Sequence, residues 1–323
     1  MRMKTLRKHW VKIAVMLGVL LLVIDIIASF FFYNFAIKRG PKDFLEGNAD
    51  LEVEPDTMDE LLNGKWRDWV RAQDYEELTL TSRDGLKLKG SFLPAKKPTN
   101  RVVILAHGYL GYGRQMGMYG QYYYESLGYN IFMPDARGHG ESEGDYYGFG
   151  WPDRLDLIDW TNELTDKLGE DTEVVYHGLS MGAATVLMAS GEEELPDNVE
   201  AIVADSPYAS AYRLFAYQMK RMYHLPAFPI LDTTSLVTMA RAGYSLREAD
   251  AEQAVEKTDV PIFYIHGNAD TFVPTSMTKE LYDHTNSEKE WMLVDNANHG
   301  EAYVLEKERY QKRLKAFLEK YVE

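Results

Sequence analysis

Cysteine is absent from the 323 residues. That absence excludes a disulfide framework, thiol catalysis, a thiolate metal site and a lipid-modified N-terminal cysteine. It is compatible with either side of a membrane. The sequence also lacks internal repeats, low-complexity tracts, clusters with metal-ligand spacing and any glycine-rich loop of phosphate-cradle form, so neither a cofactor nor a metal is called for. Positive charge is scarce beyond the first 42 residues. Residues 43–323 hold 27 Lys and Arg against 49 Asp and Glu, a net charge of −22. So acidic a body does not bind nucleic acid by neutralising phosphates.

What remains is a composition ordinary for a globular enzyme, 46% apolar and 26% charged, with enough chain for one large α/β domain carrying an insertion. Residues 1–42 differ from the rest. They carry eight Lys and Arg and one Asp, a net +7. Arg2, Lys4, Arg7, Lys8 and Lys12 precede an almost wholly apolar run over 13–37, long enough to span a bilayer as a helix. Trp10 and Tyr33 stand near its ends, where amphipathic rings favour the interface. A signal peptide is the competing reading, but Ala28-Ser29 is a poor cleavage site, and an uncleaved anchor is expected.

Five basic residues before the run and Lys38, Arg39 and Lys42 after it favour a cytoplasmic N-terminus and an outward-facing body at the cell membrane, in a single pass. Asp25, inside the run, costs about 2.5–3.5 kcal/mol on an insertion scale if it faces lipid. It is expected either to be protonated or to mark a helix–helix contact. Residues 43–74 form a connector, with a helix expected over 58–70 whose Leu61, Leu62, Trp66 and Trp69 share one face. Packing on the body is one reading of that face and lying on the membrane the other, which its acidic residues disfavour.

Residues 75–323 read as one domain. Two alternating stretches around Ser82-Arg83-Asp84-Gly85 signal a hairpin. Apolar runs at 102–106, 130–134, 174–176, 201–204, 262–265 and 291–294 then alternate with helical stretches. That pattern predicts βαβ units and a mostly parallel sheet covered on both faces, two antiparallel strands followed by six parallel ones. The excursion over about 208–256, rich in large apolar side chains, interrupts the alternation between the sixth and seventh strands.

Gly178-Leu179-Ser180-Met181-Gly182 links an apolar strand to a helix of small residues. A strand that turns abruptly into a helix around a serine is a nucleophile elbow. The motif alone is weak, since Gly-x-Ser-x-Gly arises by chance in about one chain in ten of this length. Gly140-Glu141-Ser142-Glu143-Gly144 is such a decoy. No strand abuts it, and two carboxylates flank its serine and oppose an alkoxide.

Further landmarks fall at the ends of the expected strands: His107-Gly108-Tyr109, the run from Asp135 to Ser142, His266-Gly267-Asn268-Ala269-Asp270, and Asn298-His299-Gly300. With the elbow, these five in order resemble the α/β-hydrolase superfamily over roughly 75–322. Within it, Lys220-Arg221-Met222-Tyr223-His224-Leu225-Pro226 and His299-Gly300-Glu301-Ala302-Tyr303 resemble the membrane-anchored, serine-aminopeptidase-like (S33-type) hydrolases of Gram-positive bacteria.

The resemblance implies an eight-stranded α/β-hydrolase fold with the excursion as a helical lid. It implies Ser180 as nucleophile, His299 as general base and Asp270 as the acid that orients it. It also implies an oxyanion hole from the backbone N–H groups of Met181 and Tyr109. Asp205 is the rival acid, because some members place it after the sixth strand. His107, His139, His177 and His266 are expected to shape their loops, and Asp135 to pin its turn. The aromatic run 146–151 reads equally as cleft rim or as packing.

The implied activity is a carboxylesterase cleaving small or medium acyl esters as a small-molecule substrate. The alternatives are an aminopeptidase or amidase of S33 type, which needs a carboxylate to grip the substrate's amino terminus, and a catalytically silent binding module displayed at the membrane.

Overall fold

The computed structural model describes residues 2–42, 59–60 and 63–322, with side chains from His9 onward. Eight strands form one sheet in the order β1-β2-β4-β3-β5-β6-β7-β8. They are β1 (Glu76–Thr81), β2 (Lys87–Leu93), β3 (Arg101–Ala106), β4 (Asn130–Pro134), β5 (Glu173–Leu179), β6 (Val199–Asp205), β7 (Ile262–Gly267) and β8 (Lys289–Val294). β2 is antiparallel to both β1 and β4, and β3 to β8 are parallel. The antiparallel pair β1 and β2 followed by six parallel strands is the expected arrangement; because β2 also pairs antiparallel with β4, it is β2 that runs against the rest of the sheet.

The helices, in chain order, are α1 (Arg2–Phe32), α2 (Lys65–Ala72), α3 (Gly117–Tyr122), α4 (Asp153–Leu168), α5 (Met181–Ser190), α6 (Ala211–Tyr223), α7 (Ile230–Ala242), α8 (Ala251–Val255), α9 (Thr275–His284), α10 (Ala302–Leu305) and α11 (Lys307–Leu318). Strand side chains alternate between two cores, as the period of two requires. Ile104, Phe132, Val174, Tyr176, Ile202 and Tyr264 face the core shared with α4, α5 and the insertion. Val103, Ile131, Val175, Val203, Phe263 and Ile265 face the core shared with α2, α3, α10 and α11. Both faces are covered, so the central strands read as continuous apolar runs rather than as alternation.

α6, α7 and α8 form the insertion between β6 and β7. Of the expected connector helix, Met58, Leu61 and Leu62 lie outside the described residues; Asp59, Glu60 and Asn63 are helical, and α2 begins at Lys65 after a break at Gly64. Its Trp66 and Val70 are buried in the core beside α3, so this helix packs on the body.

α1 is long and apolar enough to cross a bilayer. Every described residue from His9 to Ile24 is exposed, but from Asp25 the helix acquires a face. Asp25, Ser29, Tyr33 and Ala36 are buried and Ala28 and Phe32 half-buried, at the three- and four-residue spacing of one helical stripe. That stripe packs on α7. Thr233 Oγ1 donates to Asp25 Oδ2 at 2.6 Å, and Ser29 Oγ donates to the Ile230 carbonyl at 3.1 Å. Asp25 therefore marks a helix–helix contact, one of the two readings its place in the run allowed.

The chain then passes through a short π-helical turn, Tyr33–Ile37, and is pinned to the body. Tyr147 N–H donates to the Ile37 carbonyl at 2.8 Å and Arg39 N–H to the Asp145 carbonyl at 2.8 Å. The Arg39 guanidinium donates to the carbonyls of Ser142, at 2.8 Å, and Gly140, at 2.9 Å.

Candidate active site

The site lies at the C-terminal ends of the parallel strands, where the landmark motifs converge. β5 ends at Leu179 and α5 begins at Met181, leaving Ser180 alone in the turn. Its φ of 55° and ψ of −114° are strained for a residue with a side chain. The turn closes because of the two flanking glycines. A Cβ on Gly178 would collide with the Gly182 carbonyl, and one on Gly182 with the Ala106 carbonyl.

Ser180 Oγ lies 2.8 Å from His299 Nε2. His299 Nδ1 lies 2.7 Å from Asp270 Oδ2. With Nδ1–H donating to the carboxylate, Nε2 is left unprotonated toward the serine, the tautomer a general base requires. Asp270 is fully satisfied. Oδ2 also faces His266 Nε2 at 2.9 Å, and Oδ1 accepts the backbone N–H groups of Phe272, at 2.9 Å, and Val273, at 2.8 Å. Burial pushes the Asp270 carboxyl up, but the two imidazoles outweigh it and hold the group well below the usual carboxylate range. Burial works against the His299 cation too. The charge and hydrogen bond of Asp270, with a smaller pull from Asp205, overcome that and raise its pKa above the ordinary histidine value.

The rival acid faces elsewhere. Asp205 Oδ2 accepts Tyr310 Oη–H at 3.0 Å, and Oδ1 accepts Ser206 Oγ–H at 2.9 Å. The decoy serine is bound up in its turn: Ser142 Oγ donates to the Asp135 carbonyl at 2.6 Å and accepts Lys89 N–H at 2.9 Å. Asp135 pins that turn by accepting the N–H groups of Gly113, at 2.7 Å, and Glu141, at 2.8 Å. His107 bridges two loops, with Nδ1 2.8 Å from the Gly108 carbonyl and Nε2 accepting Ala136 N–H at 3.0 Å. This brings Gly108 against Ser180, so that a Cβ there would stand 3.5 Å from the serine Cβ. Met181 opens α5, where the first N–H has no intrahelical acceptor. Met181 and Tyr109 both line the cleft beside Ser180.

The surface of that cleft is almost wholly apolar. Tyr109 and Phe149 form one side, and Phe215, Met219, Met222 and Leu231 of the insertion form the roof. Phe149 alone represents the aromatic run there. Tyr146 Oη instead takes a bond from Arg137 at 3.1 Å, and Trp151 lies under the Arg154 guanidinium. Gln218 also lines the cleft, with a buried Oε1 that has no hydrogen-bond partner among the described residues.

Two features escaped the sequence reading. His266 holds the acid of the relay as well as its loop, and its four-residue spacing from Asp270 was the available signal. The last turn of the apolar N-terminal run, through Phe32, Phe35, Ala36 and Ile37, is part of the cleft wall. There the signal was the stripe of small and polar residues through an otherwise apolar run.

A family model for the alpha/beta hydrolase fold matches residues 101–225, and one for a serine hydrolase family matches 209–300. The Pyrococcus furiosus esterase Pf2001 superposes with a TM-score of 0.63 at 24% identity, over 79% of this chain and 96% of that one. The chain belongs to the α/β-hydrolase superfamily. It is a serine hydrolase. Among sequence relatives of this hydrolase, the uncharacterized protein YqkD of Bacillus subtilis (strain 168) is 28% identical over 240 residues, 74% of this chain and 78% of that protein. The yeast uncharacterized membrane protein YNL320W is 24% identical, over 66% of this chain and 69% of its own.

Proposed function

We propose that this hydrolase is a membrane-anchored carboxylesterase that works through Ser180, His299 and Asp270. The observation that carries the reading is the 2.8 Å contact between Ser180 Oγ and His299 Nε2 at the floor of an apolar cleft. His299 Nε2 takes the serine proton as Oγ attacks the ester carbonyl, while Asp270 holds the imidazole in place and stabilises its cation. The N–H groups of Met181 and Tyr109 receive the developing oxyanion, and losing one such donor costs about 2.7–4 kcal/mol of transition-state stabilisation. Collapse of the intermediate breaks the C–O bond, and His299 returns the proton to the departing alkoxide. Water then attacks the acyl-serine by the same relay in reverse roles and releases the acid.

An apolar acyl group suits the cleft. An aminopeptidase needs a carboxylate for the substrate ammonium, and no Asp or Glu is among the described residues lining the cleft. Anchoring rests on α1, with 43–74 as connector and 75–323 as the hydrolase domain. The five basic residues ahead of the apolar run 13–37 against three behind it support a cytoplasmic N-terminus and an outward-facing body.

The test is turnover of p-nitrophenyl esters and aminoacyl anilides by the full chain in detergent. Ester hydrolysis that falls at least about 10⁴-fold in Ser180→Ala supports the reading. Preference for the anilides supports a peptidase. Silence on both, without fluorophosphonate labelling of Ser180, leaves a binding module.

A further inference from the structure

The membrane helix and the acyl cleft are not separate parts of this molecule. Phe32, Phe35 and Ala36 line the cleft that ends at Ser180. They meet the insertion through Tyr223, whose ring stands edge-on to Phe32 at 5.3 Å and to Phe35 at 5.9 Å. Tyr109, on the opposite side, donates its hydroxyl to the Ala36 carbonyl at 2.6 Å. One wall of the substrate cleft is therefore the end of the helix that crosses the bilayer.

Depth along α1 follows from the helical rise. A hydrocarbon core of about 30 Å takes about twenty residues, which from Trp10 reaches Ser29. Phe32 and Phe35 then stand about one to two turns beyond it, at headgroup level. The contact of α7 with α1 begins lower, because Thr233 bonds Asp25, inside the span. α7 and the turn before it are dressed for that depth. Leu236 is 69% exposed, Phe228 75% and Met239 44%, an apolar surface on an otherwise acidic body. The cleft roof thus rests in the leaflet rather than above it.

We propose that the substrate is a long-chain acyl ester dissolved in that leaflet, a single-chain amphiphile such as a monoacyl glyceride, whose chain passes from the bilayer along Phe32 and Phe35 to Ser180. This rests on the esterase reading and extends its acyl range beyond small and medium chains. The energetics favour such a route. Pulling a chain through water exposes each CH₂ to it, whereas movement from leaflet to apolar cleft leaves each CH₂ in apolar surroundings throughout. Gln218 Oε1, without a partner among the described residues, offers a hydrogen-bond acceptor to a hydroxyl of such a head.

The experiment uses the full chain in vesicles of an ether-linked phosphatidylcholine, which present no competing ester. The probes are 1-palmitoylglycerol in the leaflet and p-nitrophenyl acetate in water. The quantity read is the ratio of the two kcat/KM values. Phe32→Ala/Phe35→Ala is expected to lower that ratio at least tenfold, and Ile27→Ala, on the lipid-exposed side of α1, to keep it within twofold. Fluorophosphonate labelling of Ser180 reports whether each variant is folded. If the double variant is not labelled, Phe35→Trp, which narrows the same wall, is expected to give the tenfold fall. A wild type that cleaves the acetate but not the palmitoyl ester overturns the proposal, as does a ratio indifferent to these substitutions. Absence of turnover on both probes removes the esterase reading and this inference with it.

Discussion

The floor and the roof of the cleft are built by different means. On the floor, nearly every polar atom is committed: Asp270 accepts four hydrogen bonds, and His107 and Asp135 each tie two loops together. Groups held this way have little freedom, which suits chemistry that tolerates displacements well under an ångström. Hydrogen bonds pin the wall formed by the end of α1, at the α1–α7 seam and through Tyr109, Tyr147 and Arg39, but the roof closes on that wall by aromatic and aliphatic contacts. Such contacts are non-directional and permit sliding, as entry of a flexible chain requires. One surface is built for position and the other for passage.

Breaking the floor is expected to cost most. Asp270→Asn removes the group that sets the His299 tautomer, and kcat on a soluble ester is expected to fall about 10⁴-fold. The wild-type pH profile sharpens the point. His299 must be neutral to accept the serine proton, and its pKa lies above the ordinary histidine value, mainly through Asp270. Activity is therefore expected to be lost as pH falls through a pKa above that of an ordinary histidine. In Asp270→Asn the remaining activity should keep its acid limb at a lower pH, since the raising charge is gone. A limb that stays in place shows that His299 is not the titrating base.

One step further from the serine, the effect shrinks. His266→Leu removes one hydrogen bond to a buried carboxylate, worth about 1.5–3 kcal/mol, which corresponds to about a 10- to 150-fold fall in kcat. His266→Gln retains a donor and is expected to recover part of that loss with KM unchanged. Equal activity of the two variants excludes a positioning role. At the seam the smallest change is expected. Thr233→Val leaves Asp25 without its hydroxyl partner and should lower stability in detergent by about 1–3 kcal/mol, read as a lower thermal midpoint. No change there makes the seam purely a matter of packing.

The strands and the elbow were legible because they are local. Runs such as 102–106 and 262–265 are continuous in sequence, and the glycines around Ser180 act on a turn five residues long. His299 and Asp270 stood at the ends of recognisable strands. The role of His266 was harder to read, since a histidine inside a turn looks alike whether it binds its own backbone or a carboxylate. The pairing of β2 with β4 was hidden because chain order does not reveal which neighbour a hairpin strand joins.

The sequence by itself determined the elements, the order of the landmark residues and the length of the apolar run. These follow from periodicity and from steric demands that operate within a few residues. The tertiary structure alone decided that Asp270, not Asp205, meets His299, because Asp205 ends β6 and Asp270 lies in the loop just after the adjacent β7, and only the folded positions show which of the two faces the histidine. It alone decided, too, that the last turns of the apolar run belong to the cleft. An apolar helix face suits lipid and protein equally well, so composition cannot say which will cover it. Here the covering surface is α6 and α7, some two hundred residues away in the chain, brought over the serine by the insertion between β6 and β7.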